Sequence, residues 1–334
     1  MCTAVTCDTR DGVYCGRTLD HDTSYGEEVI LTPRNYRFRY RHTGHADRQY
    51  AIIGIGCVRE DYPLYYDAVN EKGLYMCGLN YVGHGGYGAP VEGRVSLAQF
   101  EMLPYLLGRC ATVQEAVSCL RKIRVVDTAF DAEHPPAELH WLLADRGEAV
   151  TVEPEDGDVY VYPNPVGVLT NNPSFPQQMQ ALNNYMHLTA DPPENRFSPA
   201  LHLHAYSRRM GAIGLPGDLS SGSRFVRAAF MRMNAQDPEG GEVSGLSRAF
   251  HILGTVSQPC GCCRDGAGHS EMTVYTSCCH IESGVYYYTC YDNRRIQAVG
   301  MQEEDLEGKT LHRYALIHGE QVWWQNRKSA GQPE

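Results

Sequence analysis

At 334 residues, the chain is long enough to bury a full core as one large domain or two modest ones. Its 29 lysines and arginines against 40 acidic residues give a formal net charge of -11, which opposes non-specific binding to nucleic acid or to anionic lipid. No run of about 18 apolar residues occurs, so no transmembrane helix is expected. The opening Met1-Cys2-Thr3-Ala4-Val5-Thr6-Cys7-Asp8 lacks the basic and apolar regions of a secretion signal, and together these absences point to the cytoplasm. Thirteen cysteines, an odd number without a secretion signal, suit reduced thiols rather than a disulfide framework.

The first third reads as strands. Cys2–Cys7 and Val13–Asp20, separated by the turn residues 8–12, form an opening hairpin. Further strands are expected at Glu28–Thr32, Tyr36–Arg41, Tyr50–Gly56 and Gly73–Tyr81, with Asn70-Glu71-Lys72-Gly73 as a turn. The loop His84-Gly85-Gly86-Tyr87-Gly88 is too irregular for a phosphate cradle. Ser96–Arg109 has apolar residues at helical spacing, with a kink expected at Pro104. Thr112-Val113-Gln114-Glu115 reads as a capping box opening a helix to about Lys122.

Strands return at Leu139–Asp145, Ala149–Pro154 and Asp158–Tyr162. Helices are expected at Pro176–Leu188, Phe225–Ala235 and Leu246–Val256, and loops at Asp191–Asn195 and Gly214–Ser223. Strands close the chain at Met272–Cys278, Val285–Tyr291 and Ile296–Met301. Blocks of strands and helices are not the strict alternation of a parallel α/β fold. They indicate an α+β architecture: two largely antiparallel sheets face to face, with helices outside. Neither an internal repeat nor a linker stands out, so one domain is expected over residues 1–334, its last residues a tail.

The sharpest chemical feature is Cys2. Once Met1 is removed, one residue carries both a thiol and a free α-amine. An α-amine has a reference pKa of about 7.7–8.0, against about 8.5 for a free thiol, so near neutrality the amine can serve as the local base. Gly16-Arg17-Thr18-Leu19-Asp20 closes the second strand of the hairpin, which can bring Arg17 and Asp20 back to Cys2. Arg17 would stabilise the thiolate and Asp20 would orient the amine. On residue types alone, a chance cysteine and an ordinary surface ion pair account for the same letters.

Several ordered motifs narrow this. Met1-Cys2-Thr3, Gly16-Arg17-Thr18-Leu19-Asp20, Asn70-Glu71-Lys72-Gly73-Leu74 and Gly78-Leu79-Asn80-Tyr81 are followed by Leu169-Thr170-Asn171-Asn172-Pro173 and Gly214-Leu215-Pro216-Gly217-Asp218. Ser223-Arg224-Phe225-Val226-Arg227, Tyr275-Thr276-Ser277-Cys278 and Gly284-Val285-Tyr286-Tyr287-Tyr288 complete the set. The chain resembles, from residue 1 to about residue 315, the choloylglycine hydrolase family, which holds bile salt hydrolases and penicillin V acylases. The resemblance implies an N-terminal-nucleophile hydrolase with a four-layer αββα sandwich, commonly a homotetramer; no cofactor and no metal are expected.

Position by position, the resemblance implies Cys2 as nucleophile, with Arg17 and Asp20 as its activating pair. It implies Asn171 as the side-chain oxyanion donor, the backbone N–H of Asn80 as the second donor, and Arg224 as a structural and electrostatic arginine. Acyl transfer through a tetrahedral intermediate requires such donors. Without the resemblance, Asn171 reads as a turn residue and Asn80 as a strand end. Asn at position 80 resembles bile salt hydrolases, where penicillin V acylases usually carry Tyr. A conjugated bile salt is therefore the expected substrate, with penicillin V the alternative.

The loop Tyr206-Ser207-Arg208-Arg209-Met210 resembles the taurine-preferring type, which makes Ser207 and Arg208 candidates for the released amino acid. An arginine pairs with a sulfonate or a carboxylate, so its charge alone does not choose. The steroid requires an apolar pocket, and the resemblance places its walls at Tyr25, Tyr65, Tyr66 and Phe130.

Rival readings are weaker. Cys260, Cys262 and Cys263 with His269, Cys278, Cys279 and His280 have ligand types for zinc in a non-catalytic protein, but their spacing is poor. A papain-like site would need Cys110 or Cys119 in an active-site motif, and neither has one. A non-enzymatic binding module has only the lack of cofactor motifs in its favour.

Overall fold

Glu28–Thr32 and Ile52–Arg59 are buried along almost their whole length, as expected of strands covered on both faces. In the computed structural model, which describes residues 1–237 and 240–326, they belong to an antiparallel sheet. Its strands run in the order 158–163, 149–155, 139–144, 75–80, 62–70, 52–59, 28–32 and 312–315. A second antiparallel sheet runs 168–169, 2–8, 13–21, 270–280, 285–290 and 293–300, with 263–264 added beside 270–280.

Alternate residues of each strand face opposite ways, and the two cores sort accordingly. Val29, Leu31, Ile53, Ile55, Cys77 and Leu79 join the core shared with the sheet of the opening hairpin. Ile30, Ile52, Ala68, Met76 and Trp141 join a second core with the helices Met102–Leu107 and Val113–Leu120. The helices Ser221–Asn234 and Glu242–Gly254 pack on the outer face of the hairpin sheet through Phe225, Ala228, Ala249 and Ile252. The result is the four-layer αββα sandwich.

Several expected elements shift. The helix expected at 96–109 is instead a strand, Val95–Ala98, paired in parallel with Ile123–Val126, then a 3-10 turn and the helix Met102–Leu107. Pro104 lies in that helix's first turn, where no intrahelical N–H is needed, so it starts the helix rather than kinking it. Thr112 caps the next helix as expected, its Oγ1 accepting from Glu115 N at 3.2 Å. The strand Tyr62–Asn70 was not anticipated. The expected loop over 214–223 ends early, because the helix begins at Ser221. The tail expected at the C-terminus falls largely on residues 327–334, outside the described residues.

Candidate active site

The hairpin register sets the site. Cys2 pairs with Leu19, Thr3 with Thr18 and Ala4 with Arg17. Arg17 is therefore diagonal to Cys2 on one face of the sheet, while Thr18 and Asp20 share the other face with Thr3. Gly16, just before Arg17, meets the strand 270–280 so closely that a Cβ would lie 2.1 Å from the Ser277 carbonyl oxygen.

Towards the other sheet, which contains strand 75–80, the Arg17 guanidinium contacts the Cys2 thiol through Nη2 and donates from Nη1 to the Gly78 carbonyl at 2.6 Å. Burial opposes its charge, but Cys2, Tyr275 and Asp67 outweigh that and hold its pKa well up. A guanidinium touching a sulfur stabilises negative charge there. Asp67, fully buried, accepts from Tyr275 Oη at 2.8 Å, Ser277 Oγ at 2.9 Å and Tyr286 Oη at 2.5 Å. Burial pushes its carboxyl up despite the nearby Arg17.

On the helix side, Asp20 is held by Thr273 Oγ1 at 2.6 Å, Thr18 Oγ1 at 3.2 Å and Gln258 Nε2 at 3.2 Å. Its carboxyl is raised by burial, with Arg224 opposing. Arg224, from the second turn of helix 221–234, donates to the Cys2 carbonyl and to Thr3 Oγ1, both at 2.5 Å, and to Asn171 Oδ1 at 2.7 Å. The same Oδ1 accepts from the Cys2 nitrogen at 2.9 Å. Because Arg224 can only donate, the Asn171 amide has its oxygen on that side. Its Nδ2 then donates to the Asn80 carbonyl at 2.8 Å, leaving one Nδ2 hydrogen for another acceptor. Tyr81 N donates to Glu138 O at 2.8 Å. Antiparallel ladder bonds alternate, so the Asn80 N–H points away from the strand 139–144.

Met1 is present, its ammonium near Glu271 at 3.6 Å and its carbonyl accepting from Asp20 N at 2.8 Å. Cys2 itself is buried at the wall of a cavity of about 320 Å³. Tyr25, Tyr65, Tyr66 and Phe130 all line it, with Leu19 and Phe100. Neighbouring Tyr65 and Tyr66 can both do so because a bulge sets Gly56 opposite Tyr65 and Ile55 opposite Asp67, and such an extra residue re-aims side chains. Tyr25 sits half-exposed at the rim, its hydroxyl 2.8 Å from His21 Nε2.

The structure thus brings together Cys2, Arg17, Asp20, Asn80, Asn171 and Arg224, with the four aromatic residues beside them. Ser207 and Arg208 are exposed and do not line this cavity within the chain. Sequence reasoning missed Asp67, Thr273 and Gln258, which support Arg17 and Asp20. A polar residue within the aromatic run Tyr65-Tyr66-Asp67 was the one available signal.

The cysteines of the zinc alternative are spread out. Cys260 and Cys262 are exposed, whereas Cys278 and Cys279 are buried in the sheet. Among the described residues, Cys290, Asp292 and His318 place one possible ligand atom each within 4.8 Å of one another. They do not line the Cys2 cavity.

Known proteins are similar to this chain over almost its whole length. A bile salt hydrolase/transferase from Lactiplantibacillus plantarum is 45% identical over 95% of this chain and 97% of its own. Its counterpart from Clostridium perfringens is 34% identical over 94% and 96%. A solved mutant of the conjugated bile acid hydrolase from Clostridium perfringens superposes with a TM-score of 0.91 at 32% identity, covering 98% of this chain and all of that one. Penicillin V acylase from Agrobacterium tumefaciens shares the fold, with a TM-score of 0.74 at 22% identity over 95% and 92% of the two chains. The profile of linear amide C–N hydrolases of the choloylglycine hydrolase type matches residues 2–314, and the chain belongs to the choloylglycine hydrolase family.

Proposed function

We propose that this chain hydrolyses the amide bond of taurine- or glycine-conjugated bile acids, with Cys2 as the nucleophile. The observation that carries the chemistry is the Arg17 guanidinium on the Cys2 sulfur beside an apolar cavity. The similarity to bile salt hydrolases over almost the whole chain supports the substrate.

With Met1 removed, the Cys2 thiolate attacks the amide carbonyl and its α-amine carries the thiol proton. The developing oxyanion takes hydrogen bonds from the free Asn171 Nδ2 hydrogen and the Asn80 N–H, worth about 2.7–4 kcal/mol each. The C–N bond breaks, the amine leaves with the proton, and a thioester remains. Water, deprotonated by the α-amine, then releases the bile acid. Asp20 and Arg224 set the α-amine's surroundings.

The chain is further proposed to be a single cytoplasmic domain that assembles as a homotetramer. All thirteen cysteines are free thiols, which suits a reducing compartment, and among the described residues no helix is long and apolar enough to cross a membrane. Met186, Phe197 and Tyr206 are each more than 80% exposed on the segment that also carries Ser207 and Arg208. We take these exposed apolar side chains as candidates for a contact surface with a second copy. A taurine preference set by Ser207 and Arg208 would therefore depend on a second copy.

The test is a product assay on taurine- and glycine-conjugated bile salts beside penicillin V, with Cys2→Ala and intact mass. Release of amino acid from bile salts, its loss in Cys2→Ala and the absence of Met1 are the expected results. Turnover of penicillin V alone would overturn the substrate, and active protein retaining Met1 would overturn the free-amine mechanism.

A further inference from the structure

We propose that His140 is a positioning residue that holds both oxyanion donors in place, through Tyr81 on one side and Thr170 on the other. The inference rests on the reading of Asn80 and Asn171 as those donors. His140 is fully buried and does not line the cavity, so it cannot touch substrate.

Its contacts are unusually directed. The ring stacks on Tyr81, the residue after Asn80, with centroids 4.4 Å apart and planes 6° from parallel. Nε2 lies 2.8 Å from the carbonyl oxygen of Thr170, the residue before Asn171. A carbonyl can only accept, so Nε2 carries the hydrogen. The Thr170–Asn171 peptide is thereby pinned at both ends, because Asn171 N donates to Ser221 Oγ at 2.9 Å.

Nδ1 faces Glu153 Oε1 at 3.2 Å, and that oxygen also accepts from Phe175 N at 2.8 Å. Glu153 therefore ties the ring to the far end of the segment carrying Asn171. One imidazole thus touches the neighbours of both donors, whose side chain and carbonyl already meet at 2.8 Å. Burying a polar pair costs free energy that apolar side chains of the same volume would not incur. A geometric role explains why such a pair sits beneath the site.

The experiment compares His140→Phe, which keeps a ring for Tyr81 but loses the bond to Thr170, with His140→Gln, which keeps a donor but loses the stacking. Turnover of a taurine-conjugated bile salt is expressed per active Cys2, counted by iodoacetamide labelling of the N-terminal peptide. Displacing donors without removing them should lower kcat roughly ten- to a hundredfold at nearly unchanged KM. In an Asn171→Ala background the same His140 change should cost much less, since the two act as a unit.

A merely structural histidine would lower Tm and the fraction of active Cys2, but not kcat per active site. Unchanged kcat per active Cys2 in either folded variant overturns the proposal. If Asn171→Ala alone keeps full kcat, the oxyanion reading itself fails. If Asn171→Ala loses turnover and the His140 variants do not, only the role of His140 falls.

Discussion

The Cys2 backbone nitrogen and the Asn171 Oδ1 are 2.9 Å apart, so the group that would become the α-amine on loss of Met1 is held by the residue proposed to receive the oxyanion. On that proposal Asn171 couples base and electrophile stabilisation through the two ends of one amide. Asn171→Ala is expected to lower kcat by roughly 10²–10³, the usual cost of one oxyanion donor. KM should change little, because the interaction forms in the transition state. A tenfold rise in KM at constant kcat, by steady-state kinetics, would instead make Asn171 a ground-state contact.

Arg17 has two separable jobs. It touches the Cys2 sulfur, and its charge acts on the buried Asp67. Arg17→Ala should lose activity and also stability, since it removes the buried donor to the Gly78 carbonyl and the cation that favours charge on Asp67, and leaving one buried polar group unsatisfied typically costs about 1–3 kcal/mol. Adding Asp67→Asn removes the buried acid that then lacks a nearby cation and should restore part of the urea midpoint while activity stays low. Recovery of activity together with stability in the double variant would reduce Arg17 to a structural residue.

Much of this was legible in the sequence, and the gaps have physical causes. The opening hairpin was readable because turn residues separate two β-rich runs, and its register alone puts Arg17 diagonal to Cys2. The strand Tyr62–Asn70 went unread because it is buried on both faces and bulged, so period-two alternation is lost. Asp67 and Gln258 reach their partners across 210 and 238 positions of chain respectively, and no local pattern encodes such distances. Asn80 and Asn171 were found through family resemblance, since an asparagine at a strand end or before a turn carries no chemical signal of its own.

Phe130 tests the cavity. It packs edge-on against Phe100 at 5.3 Å and under the Arg41 guanidinium at 5.0 Å, so its ring is fixed before any ligand arrives. A fully buried Phe is worth about 1.5–3 kcal/mol, which corresponds to roughly ten- to a hundredfold in affinity. Phe130→Ala should therefore raise KM for conjugated bile salts by up to that factor, with kcat less affected. A fall in Tm with KM unchanged would mean that the steroid lies elsewhere.

Asp218 links pH to the helix that carries Arg224. Its carboxylate accepts from Ser220 N at 3.0 Å and Ser223 Oγ at 2.6 Å, at the start of helix 221–234. The Ser220 side chain, the Ser223 hydroxyl and the Ser220 backbone N–H together lower its pKa from 3.8 to about 2. A lowered carboxyl pKa contributes stability above the unfolded-state value, and that contribution is lost as pH falls through the folded-state value. The carboxylate is largely exposed, so the contribution is held below about 1 kcal/mol by solvent screening. Urea midpoints of the parent and Asp218→Asn should therefore differ at about pH 6, with the difference roughly halved by about pH 3. A difference that stays constant over that range would mean that the charge on Asp218 does not support the helix, and that its hydrogen bonds serve equally well as those of a neutral amide.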